Sequence, residues 1–183
     1  MDSDLGRALL VMARNAIADK LGVAHPAVPA ASPELAQPGA VFVTLTERGE
    51  LRGCIGSLEA WRPLHDDVVA NARAAAFNDP RFAPLRAEDL SAVRVEVSLL
   101  SAARPMSFSG EEEAIGQLRP HIDGVILESG RHRGTFLPQV WESLPEPRQF
   151  MAQLKRKAGL PPDFWSADVR LSRYSVEKWK EPL

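Results

Sequence analysis

Leu5, Leu9, Met12, Ala13, Ala16 and Ile17 recur at helical spacing with polar residues opposite, which predicts an amphipathic helix ending before Gly22. Residues 22–39 carry Pro26, Pro29, Pro33 and Pro38 and predict a surface loop with one or two docked side chains. From Ala40 the period falls to two. Val41, Val43 and Leu45 alternate with Phe42, Thr44 and Thr46, and Arg48-Gly49-Glu50 turns the chain into a second strand over 51–57. Pro63 sits at the start of a helix whose apolar face runs through Leu64, Val68, Ala72, Ala75 and Ala76 to about Asn78. A proline-locked loop, Asp79 to Pro84, ends it.

Val93, Val95, Val97 and Leu99 alternate with Arg94, Glu96 and Ser98, the pattern of a half-buried strand. Ser109 followed by Glu112 predicts a capping box and a helix to about Arg119. Ser129-Gly130 joins a second hairpin, 122–128 with 131–137. Pro138 and Pro147 read as helix starts, with Gly159 closing the second helix, and 168–174 and 176–180 are extended. Strands paired in hairpins, without strict strand–helix alternation, indicate an α+β fold with a mixed or antiparallel sheet flanked by helices. A single domain over 1–183 is expected, with a subdomain junction near 100–105.

Composition narrows the chemistry mainly by exclusion. The 183 residues can bury a core unaided. With 22 basic against 24 acidic residues the net charge is −2, so no charge excess points to nucleic acid or an anionic membrane. One cysteine forms no internal disulfide, and with four histidines it forms no multi-cysteine zinc framework. No glycine-rich phosphate loop or nucleophile elbow is present, so neither cofactor nor metal is read from the chain. Charged residues from Asp4 to Lys20 break any N-terminal apolar run, and no stretch of about 18 apolar residues occurs. The expected compartment is therefore the cytoplasm, with no membrane contact.

Leu51-Arg52-Gly53-Cys54-Ile55-Gly56 is the most unusual local feature. Glycines beside Cys54 leave its backbone open to close approach, and Gly53 and Gly56 are candidate substrate-binding positions. Arg52, two residues away, is expected on the same face, where its charge would favour the thiolate. Cys54 reads equally as a small buried hydrophobe. His65, at the start of the second helix, is the best-placed histidine to act as base, or else a solvated first-turn residue. Glu96 and Ser98 share the polar face of their strand, Glu96 as a proton carrier and Ser98 as a substrate contact, or both as ordinary surface positions. Arg81 would clamp an anionic group or pair with a neighbouring carboxylate. Basic residues from Arg131 to Lys180, interleaved with Trp141, Trp165, Tyr174 and Trp179, raise nucleic-acid binding as a weaker reading.

The same hexapeptide, with Ala74-Ala75-Ala76, Asp79-Pro80-Arg81-Phe82-Ala83-Pro84, Glu96-Val97-Ser98-Leu99-Leu100, Gly124, Thr135 to Glu142 and Lys157-Ala158-Gly159-Leu160, resembles the AMMECR family, known in bacteria and archaea as AmmeMemoRadiSam system protein A. The resemblance covers nearly the whole chain. It implies an α+β fold with a larger and a smaller subdomain and the cysteine motif by a cleft between them. It also implies two partners, a Memo-like protein and a radical S-adenosylmethionine protein. Two functions follow as expectations: a thiol-dependent enzyme acting on a small substrate through Cys54, or a non-catalytic adaptor of the same system docking through Trp61, Trp141 or Trp165.

Overall fold

The computed structural model describes residues 3–28 and 32–182; Pro29, expected in the surface loop, lies outside them. The chain forms two compact units, one from Met1–Leu100 with Glu177–Leu183, the other from Ser101–Val176. Among the described residues no helix is long and apolar enough to cross a membrane.

In the first unit, helix α1 (Asp4–Leu21) starts where the Ser3 hydroxyl accepts the Gly6 N–H and ends at Gly22, whose φ of 68° lets its N–H reach the Ala18 and Asp19 carbonyls. Leu35, in a 3-10 turn at Pro33–Ala36, is the side chain the proline-rich segment docks. Strands β1 (Ala40–Glu47) and β2 (Glu50–Gly56) form a hairpin across Arg48 and Gly49, both at positive φ as a tight hairpin turn demands. Helix α2 (Leu64–Phe77) follows, with Pro63 just outside it as the flanking residue. Strand β3 (Val93–Leu100) pairs antiparallel with β1, and β8 (Val176–Lys180) completes a sheet of order β2-β1-β3-β8.

Both helices cover one face of this sheet. Val41, Val43, Leu45, Val93, Val95 and Val97 meet Leu9, Ala13 and Ile17 of α1 and Val68, Ala72 and Ala75 of α2 in a single apolar cluster. Trp179 of β8 lies on Gly6 of α1, so close that a β-carbon there would stand 2.3 Å from the indole. Arg14 ties the same helix to Glu181 and to the carbonyls of Leu90 and Val93.

The second unit holds β4 (Arg104–Pro105), α3 (Glu111–Gln117), β5 (Gly124–Ser129), β6 (His132–Phe136), α4 (Pro147–Lys157) and β7 (Arg170–Tyr174), with sheet order β4-β7-β5-β6. Its core is Trp141 stacked on Phe150, ring centroids 3.7 Å apart, among Val125, Leu127, Met151, Leu154 and Leu171. Three expectations change here. Glu113, rather than Glu112, reaches back to Ser109, and Gly110 caps α3. That helix stops at Gln117 because the Arg119 N–H and guanidinium turn to Asp123. Pro138 opens a 3-10 turn, Pro138–Glu142, and no α-helix.

Candidate functional site

Alternation along β1 and β3 sends Val43, Leu45, Val95 and Val97 to the helices and leaves Phe42, Thr44, Glu96 and Ser98 on the opposite face. Register then decides which of these meet. Cys54 pairs with Thr44, and Thr44 with Glu96, so the three form one row across β2, β1 and β3. The Cys54 Sγ lies 3.3 Å from the Thr44 hydroxyl. Glu96 meets Lys180 of β8 at 3.3 Å. Gly56, Phe42 and Ser98 form the next row.

Both glycines of the motif are explained by crowding. On the helix face a β-carbon at Gly53 would stand 2.2 Å from the Ala75 carbonyl oxygen, so only glycine lets the alanine-rich α2 settle against β2. On the other face a β-carbon at Gly56 would meet the Phe42 ring at 2.2 Å. These contacts account for the two glycines without a ligand. The half-buried thiol between them stays free and is the chain's lone cysteine.

A buried carboxylate holds the thiol's backbone. β2 is an edge strand, and the Cys54 N–H pointing out of the sheet donates to Asp79 Oδ2 at 3.0 Å. Arg81 donates to both Asp79 oxygens, at 3.0 and 2.8 Å, and through Nη2 to the Cys54 carbonyl at 3.4 Å. Asp79 and Arg81 together thus satisfy the two edge groups of Cys54 that a further strand would otherwise claim. The Arg81 guanidinium, with the Cys54 N–H, holds the Asp79 carboxyl well below the usual carboxylate range. Asp67, fully buried at the start of α2, braces the segment after β2, accepting from Val41 N–H, Ser57, Arg62 and Asn71.

The structure thus brings Cys54 and Glu96 into one row and Arg81 against the Cys54 backbone. Arg52 behaves differently from simple alternation. The register shifts between Leu45 and Thr46, where Gly53 and Leu51 are the respective partners, and Arg52 becomes the extra residue of a β-bulge. Its charge adds to the attraction on Asp89, whose carboxyl is lowered chiefly by Arg86. His65 gives one ring nitrogen to the Leu35 carbonyl at 2.7 Å and the other to Asp66 at 3.3 Å, and Cys54 is not among its partners. Thr44 and Asp79 are the members that strand and loop patterns alone do not mark. A threonine on the polar face is unremarkable until register is known, and Asp79 lies 25 residues from Cys54. Trp141, an expected docking residue, is buried, its indole N–H donating to the Asp123 carbonyl at 2.7 Å. Trp165 packs on Phe108, whereas Trp61 is 70% exposed.

This is an α+β protein whose motifs run through both of its units, and comparison with known proteins gives it a family. The AMMECR1 family model matches residues 10–179, and the chain belongs to that family. It is 37% identical to a protein of Methanothermobacter thermautotrophicus, over 99% of this chain and 96% of that one. A Saccharolobus islandicus protein is 36% identical, over 95% of this chain and 80% of its own. Among solved structures, uncharacterized protein PH0010 from Pyrococcus horikoshii superposes with a TM-score of 0.79 at 34% identity, covering 96% of this chain and 91% of that one.

Proposed function

We propose that this protein is a cytoplasmic thiol-dependent enzyme whose Cys54 adds to a small electrophilic substrate on the polar face of the first unit's sheet. The observation that carries the reading is the row Cys54–Thr44–Glu96, a free half-buried thiol in hydrogen-bond contact with the hydroxyl of a threonine that stands opposite Glu96 in the sheet register. Addition to a carbonyl carbon forms the S–C bond and moves the C=O π pair to oxygen. The thiol proton passes to the Thr44 hydroxyl as that hydroxyl releases its own to Glu96. Asp79 occupies the Cys54 amide, so that amide is not available to steady the oxyanion. Arg81 keeps Nη1 for an anionic substrate group while its other guanidinium nitrogens hold Asp79. A Memo-like protein and a radical S-adenosylmethionine protein, the partners that the family resemblance implies, would supply or consume the substrate.

The test is alkylation of the native thiol by iodoacetamide at neutral pH, read by intact mass. One adduct per chain is expected, forming faster than on the unfolded chain, with Glu96→Gln and Thr44→Val each slowing it by roughly tenfold. A thiol inert until denaturation overturns the reading, as does a rate unchanged in both variants. A second reading, a non-catalytic adaptor, is favoured by one observation. Leu58 and Trp61 are 46% and 70% exposed just after the cysteine strand, with the Arg62 guanidinium 4.6 Å from the Trp61 ring centre. Under it, Trp61→Ala abolishes co-purification with the two partners while Cys54→Ser leaves it intact.

A further inference from the structure

The second unit contains a cavity of about 400 Å³ lined by Arg104, Arg119, Arg173, Ser101, Ser175 and Tyr174. Its charges do not balance. Arg104 of β4 and Arg173 of β7 are direct cross-strand partners, an arrangement in which like charges repel. Asp123, outside that lining, is fully buried and serves two of the guanidiniums. It accepts from Arg119 Nε and Nη2 at 3.0 and 2.7 Å, and its other oxygen lies 3.7 Å from Arg173 Nη1. Arg173 Nη1 also donates to the Gln117 carbonyl at 3.0 Å, at the end of α3. Arg104 makes no ion pair with a described residue. Two positive charges in three are therefore uncompensated inside a concavity, where the surrounding protein focuses their field.

An isolated surface arginine is satisfied by water and needs no partner. These three differ in that two are set opposite one another by strand register and two are fixed in place by one buried acid. Setting like charges opposite one another beside a cavity is unfavourable unless an anion enters. Three fork-shaped donors converging on one space match a group with several terminal oxygens and two negative charges, which is phosphate. The cavity's size is that of a small-molecule site. The Ser175 hydroxyl adds a neutral donor at the rim, while the Ser101 Oγ accepts the Ser175 N–H at 2.9 Å and shapes the mouth.

We propose that this cavity binds the phosphate or diphosphate group of a small organic phosphate, with the exposed Arg104 as the clamp and Arg119 and Arg173 as the donors that Asp123 preorganises. The site is independent of the thiol reading, since none of its residues belongs to the Cys54 row.

The experiment is calorimetric titration of the full chain with inorganic pyrophosphate at low ionic strength. A saturable single site is expected. Arg104→Ala should weaken it roughly tenfold or more, and Arg104→Lys less. Arg131→Ala, at the exposed tip of the β5–β6 hairpin, should leave it unchanged. Arg104 is exposed and holds no ion pair with a described residue, so loss of binding in a variant whose thermal midpoint is not lowered reports on the site. Pyrophosphate heats no larger than those from equal ionic strength of chloride overturn the proposal. Equal weakening by Arg104→Ala and Arg131→Ala also overturns it, because the binding is then diffuse charge. Single-stranded RNA that binds more tightly than pyrophosphate and is indifferent to Arg104 would give the basic surface to nucleic acid and overturn it likewise.

Discussion

Asp79 in the first unit and Asp123 in the second are built alike and end in opposite conditions. Each carboxylate is buried, accepts from the side chain of a nearby arginine that is 55% exposed, and takes the backbone N–H of that same arginine, at 3.1 Å for Arg81 and 2.9 Å for Arg119. At Asp79 what remains goes to the Cys54 N–H, and what remains of Arg81 goes partly to the Cys54 carbonyl. The pair is neutral and acts as a brace for an edge strand. At Asp123 the remaining attraction falls on a second arginine, which itself faces a third. The same local motif is therefore structural in one place and leaves charge for a ligand in the other. The distinction lies in the number of cations around the acid rather than in the acid.

Asp79→Ala should have the largest effect, because it removes the acceptor of the Cys54 N–H and strands Arg81 in one step. A drop in thermal midpoint of roughly 5–10 °C is expected, measured by calorimetry. Its pH dependence sharpens the point. The folded carboxyl titrates below its unfolded value of 3.8, so the stabilisation is fully present above that value and is lost as the pH falls through the lower, folded one. The stability gap between wild type and Asp79→Asn should hold constant from neutral pH to about 5 and narrow below 3.8. A gap that stays constant through that range would remove Asp79 as a charged brace. Gly53→Ala comes next, since its methyl group must displace the Ala75 carbonyl; a loss of about 1–3 kcal/mol in urea denaturation is expected. The smallest effect has the opposite sign. Arg104→Ala relieves the cross-strand repulsion and should stabilise the protein by about 0.2–1 kcal/mol at low salt, fading by roughly 1 M salt.

Features decided by local backbone chemistry are legible in the amino-acid sequence alone. Gly22 ends α1, Arg48-Gly49 turns the first hairpin, and the alternation from Val93 fixes which face Glu96 and Ser98 occupy. Partnership across the chain is not legible in this way. That Thr44 stands between Cys54 and Glu96 depends on register, and that Arg52 is a bulged residue depends on one extra residue in β2, which two-residue periodicity hides. Asp79 reads only as a member of a proline-locked loop, and its approach to the edge strand is what gives it a role. Trp141 shows the converse, because it lies in a short proline-opened turn, which carries no helix or strand period from which its burial could be read.

The first unit is discontinuous in the chain, and this sets an order for its birth on the ribosome. The second unit, Ser101–Val176, is continuous and can close once its own residues have emerged. The first cannot. Until β8 appears, β3 is an unpaired edge, Gly6 lacks the indole of Trp179, and Arg14 lacks Glu181. The unit that begins first is thus completed last, and α1 waits until the whole second unit has been made before Trp179 reaches Gly6. For that interval the free edge of β3 is open to a nascent-chain chaperone.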